Sequence, residues 1–397
     1  MLLEIILATI VGCMFGIITG ITPGIHINLV SVLILSVSPL LLTFLSPIIL
    51  AVLILSMAIT HTFLDNIPSI FLGAPTEDTA LSILPGHRFL LNGRGYEAVM
   101  LMVLGSFSGL ILSVAAIPLL LIIFPATYEL IKDYTGYILL VAMGFLILRE
   151  KSKTNAIILF FLSGILGILT LNIGISNPLF PLLSGLFGVS TLVVSIKDKV
   201  NIPKQIISYP ELDKKESIKT SVISFIIGAI CSFMPGIGPA QGATLGSQFF
   251  KKISQKGFLI LVGGLSTVNM ALSIITLYKL EKARNGAVVV ILKLVETITQ
   301  SEFIILTAVT LISASVAVFL CIKFSKIFSN LITKINYQTL CISIIIFIIL
   351  LTILLSGIPG LYILILSTFI GIIPQYLDTP KSHLMGCLIL PVLFYFL

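Results

Sequence analysis

One short pattern occurs twice in this chain, 212 positions apart, and it constrains the fold more than any other feature of the sequence. Each copy has a small residue at every fourth position, followed closely by a Pro-Gly pair. The small residues are Gly12, Gly16 and Gly20 in the first copy and Ser224, Gly228 and Ser232 in the second. The Pro-Gly pairs lie at 23–24 and 235–236.

Small residues four apart form one smooth face of a helix, on which another backbone can approach closely. Proline then removes a donor and clashes with the preceding turn, while glycine lets the chain change direction. Both copies lie in apolar sequence, so the pattern predicts a duplicated chain with two broken membrane helices. Paired interrupted segments of this kind mark the binding site of many transporters. Glycine-packed hairpins without a ligand are the alternative.

The composition is that of a membrane protein. Of the 397 residues 57% are hydrophobic and only 10% are charged. Apolar runs close to the roughly 20 residues that cross a bilayer recur from end to end. We therefore expect an all-α polytopic protein of the cell membrane, with roughly 10–14 membrane segments.

The net charge of +7 comes from short loops between these segments, which is the positive-inside pattern and argues against a nucleic-acid partner. The five cysteines are scattered singly, and the sequence has no CxxC, HExxH, phosphate-binding loop or nucleophile elbow. We therefore predict no metal site, no bound cofactor and no enzymatic activity.

The order of segments predicts two membrane repeats, 1–200 and 220–397, joined by a basic linker at 201–219. In the first repeat a broken stretch at 2–45 is followed by a span at 48–72, a polar loop and four further apolar segments. The second repeat has the same order, beginning with the broken stretch 220–249.

Basic residues predict the orientation. The loops at 149–153, 197–219 and 323–334 should be cytoplasmic. Both ends of 220–249 then lie inside, which favours a re-entrant hairpin, and both ends of 2–45 lie outside. The halves are therefore predicted to be inverted-topology repeats whose breaks enter from opposite sides and approach each other near the membrane midplane.

The residues around the two breaks are the candidate substrate site. A half-helix that begins after such a break presents unpaired N–H groups and a partial positive charge to an anion. His26 could carry a proton or simply cap and pack. The candidates are Thr22, Pro23, Gly24, His26 and Asn28 at the first break, Pro235, Gly236, Gly238 and Gln241 at the second, and Asn66 and Asn269 on the neighbouring spans.

Four further residues are candidates for gating or for coupling to Na⁺ or H⁺. His61 and Asp65 lie late in an apolar span, where ionisable groups are costly, although a simple pair on one helix face is the alternative. Glu77 and Asp78 follow Thr76, which could make them ordinary first-turn acids of a capped helix.

The segment that runs from Ile70 through Asp78 to Ala98 resembles a conserved block of the large permease subunit of tripartite tricarboxylate transporters. Its parts are Leu72-Gly73-Ala74-Pro75-Thr76-Glu77-Asp78, Pro85-Gly86-His87 and Gly93-Arg94-Gly95-Tyr96-Glu97-Ala98. The two glycine-rich breaks also resemble motifs of that family. Pro85 stands where the family has an aspartate, and its acidic second-half motif is reduced to Ser266-Thr267-Val268-Asn269.

The resemblance implies a permease for a small organic anion, with a small membrane subunit and an extracytoplasmic binding protein as partners and membrane lipid around it. Together with the broken helices, it predicts a secondary transporter of a carboxylate. A flippase for polyprenyl phosphate or another lipid phosphate is the alternative.

Overall fold

The computed structural model describes residues 1–23, 25, 27–73, 79–148, 150–197, 202–234, 238–249, 253–283, 285–334 and 336–397. The chain is 84% helical and these residues form no strand, which confirms the predicted all-α class.

The described residues of the first half form eleven α-helices, three of them shorter than nine residues. They are α1 (Leu2–Ile21), α2 (Ile27–Leu41), α3 (Pro47–Leu64), α4 (Asn66–Phe71), α5 (Ile83–Leu91), α6 (Gly95–Ala115), α7 (Ile117–Ile131), α8 (Thr135–Leu148), α9 (Lys153–Asn172), α10 (Leu179–Leu183) and α11 (Ser190–Lys197). Short 3₁₀ turns lie at Ala80–Ser82 and Lys132–Tyr134, and a π-helical turn, Ser184–Val189, joins α10 to α11.

The second half is built from longer helices. They are α12 (Lys214–Phe233), α13 (Pro239–Phe249), α14 (Gln255–Leu280), α15 (Gly286–Val295), α16 (Gln300–Ile332), α17 (Tyr337–Tyr376) and α18 (Gly386–Phe396), with a 3₁₀ turn at Lys381–Met385 before the last. Across the described residues of both halves, nine helices are long and apolar enough to cross a membrane. With a bent pair in α7 and α8 and three shorter apolar helices, the count agrees with the predicted range.

The first glycine stripe packs directly on α3. A methyl group at Gly16 would lie 2.5 Å from Thr60 Cβ and 2.8 Å from the carbonyl oxygen of Met57. A methyl group at Gly20 would lie 2.7 Å from Leu64 Cβ. The predicted close approach of a second backbone is therefore confirmed, and it makes α1 and α3 parallel neighbours.

The second stripe packs on α14 in the same way. Ser224 donates a 3.2 Å hydrogen bond to the carbonyl oxygen of Leu261, and a methyl group at Gly228 would lie 2.8 Å from Val268 Cβ. Thr276 donates to the carbonyl oxygen of Ser232 at 3.1 Å. Gly16 contacts Met57 and Thr60, and Gly228 contacts Leu265 and Val268. The two pairs of contact residues are related by an offset of 208 positions. The duplication thus extends from the sequence to the packing of matched helices.

The helices α6, α12 and α14 begin at the end of the molecule that carries the 202–213 segment, which we call the linker end. The Glu216 carboxylate on α12 accepts a hydrogen bond from the Ser254 N–H at 2.7 Å, just before α14 begins. Lys256 of α14 pairs with Glu97 of α6 at 3.1 Å. The helices α6, α12 and α14 therefore all run away from the linker end.

Their counterparts in the repeat, α16, α1 and α3, run in the opposite direction. Phe71, at the end of α4, lies against Gly95 at the start of α6, and its ring lies 6.1 Å from that of Phe328 on α16. Hence α3 and α16 run toward the linker end, and α1 runs with α3. The order α1, α3, α16 against α12, α14, α6 is the predicted inverted topology.

The hairpins follow from these directions. Because α1 and α3 are parallel neighbours, α2 returns the chain between them, and α13 returns it between α12 and α14. Each broken element therefore enters and leaves at the same end of the molecule. The helices α6 and α16 are exchanged, since α6 packs on α14 and α16 packs on α3.

The basic loops share the linker end, as their charge predicts. His383 Nε2 lies 3.2 Å from the Glu150 carboxylate, which places the loop before α9 beside the 3₁₀ turn at 381–385. Lys197 donates to the Tyr376 hydroxyl at 3.0 Å. The side of the membrane on which this end lies remains a prediction, as do the boundaries of the two repeats.

Two helix boundaries differ from those expected. α12 begins at Lys214 rather than 220, because the Asp213 carboxylate accepts hydrogen bonds from the N–H groups of Lys215 and Glu216 and caps the helix. α16 continues to Ile332, beyond the expected end at 322. The apolar segments 338–356 and 358–374 form the two parts of α17, which is interrupted between them, as expected, at Gly357, whose φ of 67° only glycine adopts readily.

Candidate functional site

The two halves meet where α3 crosses α14. The Thr267 hydroxyl donates a 3.1 Å hydrogen bond to the Thr62 hydroxyl, and both residues are buried. The offset of 208 relates His61 to Asn269 and Asp65 to Ser273, so polar residues occupy matched positions on both helices near the crossing.

On α3 and α4 these polar residues are almost fully buried. His61 Nε2 lies 4.0 Å from Asp65 Oδ2, the predicted pair on one helix face. Asn66 donates to the carbonyl oxygen of Phe63 at 3.0 Å, and its own Oδ1 is buried without a partner in the described part of the chain. Ser69 donates to the Thr79 hydroxyl at 2.7 Å, which holds the start of the next turn against α4.

The half-helix α2 packs against the short helix α15, and α15 also contacts α14. The Asn28 side chain, in the first turn of α2, lies against Gly286, where a methyl group would be 2.6 Å from its Cγ. Asn285 caps α15 by accepting from the Val288 N–H at 2.9 Å, and it donates to the Ser273 hydroxyl at 3.1 Å. Asn285 thus connects the predicted residue Asn28 to the 269–273 turn of α14.

Sequence reasoning missed Asn285. Its signal was the Asn-Gly pair at 285–286 after a charged segment, which is typical of a helix N-terminus. The predicted residue Asn269 is half-buried one turn before Ser273, and its carbonyl oxygen accepts the Ser273 hydroxyl at 2.6 Å.

The half-helix α13 begins after the second break and packs against α12 and α14. The Gly238 N–H donates to Gln241 Oε1 at 3.0 Å, and Cys231 Sγ donates to the Gly238 carbonyl oxygen at 3.5 Å. Gln241 is buried, and its amide oxygen is used to close the turn that leads into α13. At the first break Thr22 ends α1, with its N–H donating to the Ile18 carbonyl oxygen at 3.1 Å, and Pro23 is half-buried.

The remaining predicted site residues, and with them the predicted meeting of the two breaks, lie outside the described part of the chain. They are Gly24, His26, Glu77, Asp78, Pro235 and Gly236. The described residues that precede the two breaks lie near these helices, Gly20 of α1 against Leu64 and Ser232 of α12 against Thr276. These positions are on opposite sides of the Thr62–Thr267 contact along the helix axes.

A cavity of about 590 Å³ opens between the halves at the linker side. It is bounded by α5, α11, α13, the start of α14 and the turn that precedes α18. Its polar lining is Arg88, Thr191, Thr244, Ser254, Gln375, Asp378 and Lys381. Its volume lies in the usual range for a small-molecule site, about 300–1,000 Å³.

Arg94 has a structural position at the linker end. Its guanidinium donates to both carboxylate oxygens of Glu97, at 2.6 and 2.7 Å, and Lys256 pairs with the same carboxylate. These hydrogen bonds raise the pKa of Arg94 above its usual range. The arrangement ties the start of α6 to the start of α14.

Comparison with known proteins gives the same assignment as the architecture. Residues 6–386 match the model of the tripartite tricarboxylate transporter TctA family. The chain belongs to this family. Like the other members it is therefore a transporter-type polytopic membrane protein, which agrees with the resemblance seen around residues 70–98.

Among individual proteins, the chain is similar to the uncharacterized protein MJ1079 of Methanocaldococcus jannaschii. The two are 31% identical over 404 aligned positions, which cover 99% of each chain. No solved structure matches the chain significantly. The general activity that membership of the TctA family implies is transport across a membrane.

Proposed function

We propose that this chain is a secondary transporter that carries a small organic anion, a carboxylate, across the cytoplasmic membrane. The observation that carries the proposal is the inverted pair of hairpins, each of which delivers a half-helix to the region where α3 crosses α14. Inverted repeats with broken helices around a shared site are the usual architecture for alternating access.

In this proposal the N-terminal ends of the half-helices hold the anion. Backbone N–H groups after Pro23-Gly24 and Pro235-Gly236 are assisted by Thr22, His26, Gly238 and Gln241. Amide groups of Asn28, Asn66 and Asn269 complete the site. One helix N-terminus contributes about 0.3–1 kcal/mol in an exposed site and more in a partly buried one, so several have to act together.

Na⁺ or H⁺ supplies the driving force, and Asp65 with His61 is the proposed coupling pair. Burial of an ionisable pair in membrane helices is energetically costly, so such pairs usually mark a functional site. Asp65→Asn keeps the shape of the side chain and removes its charge. It should abolish gradient-driven uptake while leaving exchange of labelled for unlabelled substrate, and equal loss of both would remove Asp65 from the coupling step. Glu77 and Asp78 are the second candidates.

The proposed partners are those that the name of the family implies, a small membrane subunit and an extracytoplasmic binding protein, within surrounding membrane lipid. A flippase for lipid phosphates is the second candidate function. The two cationic residues of the linker-side cavity favour it, because a phosphate headgroup also needs such a pocket.

Thermal unfolding of the purified protein separates the two functions, because a ligand that binds the folded state raises the melting temperature. We expect citrate or a dicarboxylate to raise it at millimolar concentration, and a short-chain polyprenyl phosphate to have no effect. Stabilisation by the lipid phosphate alone would replace the carboxylate proposal by the flippase.

A further inference from the structure

Lys381 is a buried lysine that neither broken element contains. It begins the 3₁₀ turn before α18, is 4% exposed and lies in the wall of the linker-side cavity. Its Nζ donates to the hydroxyl oxygens of Ser190 at 2.9 Å and Thr191 at 2.8 Å. Those two hydroxyls donate in turn to the carbonyl oxygens of Leu186 and Phe187.

The hydroxyl protons are therefore committed to the helix backbone, and the oxygens are free to accept from the lysine. This orients the ammonium group without neutralising it. Both carbonyl acceptors belong to the π-helical turn Ser184–Val189, a type of irregular turn that is frequent at functional sites.

Among the described residues no carboxylate oxygen lies within 4.0 Å of Lys381 Nζ, and the carboxylate that lines the same cavity is that of Asp378. Lys256, by comparison, pairs with Glu97 at 3.1 Å. A buried charge without a partner is strongly unfavourable, so a buried lysine needs either an anion or loss of its proton. Arg88 of α5 also lines this cavity and supplies a second cation.

We infer that Lys381, positioned by Ser190 and Thr191, binds a carboxylate group of the transported anion in the linker-side cavity, with Arg88 as the second cationic contact. The inference rests on the proposed function, which it extends by naming side chains that hold the anion. Two cations in one cavity suit a substrate with two or more carboxylates. The site lies beside α13 and includes Thr244, which lies in the second turn of that half-helix.

Isothermal titration of the purified full-length protein with citrate, succinate and inorganic phosphate tests the assignment. Lys381→Met removes the charge and keeps most of the side-chain volume, and Lys381→Arg keeps the charge. Lys197→Met is the matched control, since Lys197 also donates to a hydroxyl, that of Tyr376, but is exposed outside the cavity.

We expect Lys381→Met to weaken binding of the preferred carboxylate at least tenfold, and Ser190→Ala with Thr191→Val to weaken it several-fold. Lys381→Arg should retain more affinity than Lys381→Met, and Lys197→Met should stay within twofold of the wild type. Melting temperatures measured on the same samples separate loss of binding from loss of folding.

If the wild type binds a carboxylate and Lys381→Met binds it equally well, the role of Lys381 is overturned and the proposed function stands. A lower melting temperature with unchanged affinity would assign Lys381 to an internal ion pair and overturn the inference as well. Absence of carboxylate binding by a folded wild-type protein would overturn both. Binding of phosphate alone, lost in Lys381→Met, would reject the carboxylate while retaining the cationic site.

Discussion

The hydroxyl of Thr267 donates to the hydroxyl of Thr62 at the point where α14 crosses α3. Under the offset of 208, Thr267 corresponds to Ile59 and Thr62 corresponds to Met270, so the contact joins nearly equivalent positions of the two halves. Because the helices run in opposite directions, the pseudo-two-fold axis that relates them passes close to this contact and lies in the plane of the membrane.

The packing of matched helices gives the first prediction. Gly16→Leu and Gly228→Leu should each lower the free energy of unfolding by about 1–3 kcal/mol, because the added side chain has to displace α3 or α14. Gly144→Leu is the control, since no atom of another residue lies within 4 Å of a methyl group built at Gly144. Unfolding in detergent measures the change. A large loss at Gly144, or none at Gly16 and Gly228, would contradict the duplicated packing.

Much of this arrangement could be predicted from the sequence, because its causes are local. Small residues four apart imply a close helix contact wherever the partner lies, and proline with glycine stops a helix in any context. The sequence does not show which residues contact Gly16 and Gly228. The shared spacing nevertheless indicates that the contacts are equivalent in the two halves. The division between the apolar segments 338–356 and 358–374 likewise coincides with the break at Gly357.

The linker-side cavity could not be predicted, because its lining comes from segments that are distant in the sequence. Lys381 lies in a short polar stretch between two apolar segments, where a lysine usually marks the membrane surface. Its burial depends on Ser190 and Thr191, about 190 residues away. The Arg94–Glu97–Lys256 cluster combines a local pair, three residues apart, with a distant lysine, and only the first part was visible in the sequence.

The orientation in the membrane can be measured on one pair of exposed lysines. Lys215 lies at the linker end, and Lys279 lies at the other end of α14. In a background without native cysteines, Lys279→Cys should react with an impermeant thiol reagent in intact cells. Lys215→Cys should react only after permeabilisation, because basic loops stay in the cytoplasm. The opposite labelling pattern would reverse the orientation.

Replacement of Arg94 should affect stability rather than substrate binding. Arg94→Ala leaves the buried Glu97 carboxylate with Lys256 as its remaining cation, and we expect a loss of about 1–2 kcal/mol in the free energy of unfolding. The affinity for the carboxylate, measured by titration, should stay within twofold of the wild type. Loss of binding in a stable Arg94→Ala protein would place the substrate in the loop at 73–97 instead.

His87 makes the stability depend on pH. Burial and the nearby charge of Lys381 lower the pKa of His87 from 6.5 to about 4, so the folded protein keeps this imidazole neutral. The unfolded chain binds the proton more readily, so the contribution is complete above pH 6.5 and is lost as the pH falls toward 4. The loss is on the order of 2–3 kcal/mol.

The variant His87→Gln should therefore lose less stability than the wild type between pH 7 and pH 4.5, as measured by the melting temperature across that range. His383→Gln is the comparison, because His383 lies beside the Glu150 carboxylate instead of a cation. Parallel curves for the wild type and His87→Gln would show that His87 is protonated equally in both states.

The most direct measurement is uptake of radiolabelled citrate, succinate and other carboxylates into liposomes that contain the purified protein. It should be made with a Na⁺ gradient, with a pH gradient and with neither. The proposed transporter accumulates at least one carboxylate above the level of protein-free liposomes, and one of the two gradients increases that accumulation. Folded protein that moves no carboxylate under either gradient, in liposomes where a labelled polyprenyl phosphate crosses the bilayer, would contradict the proposal.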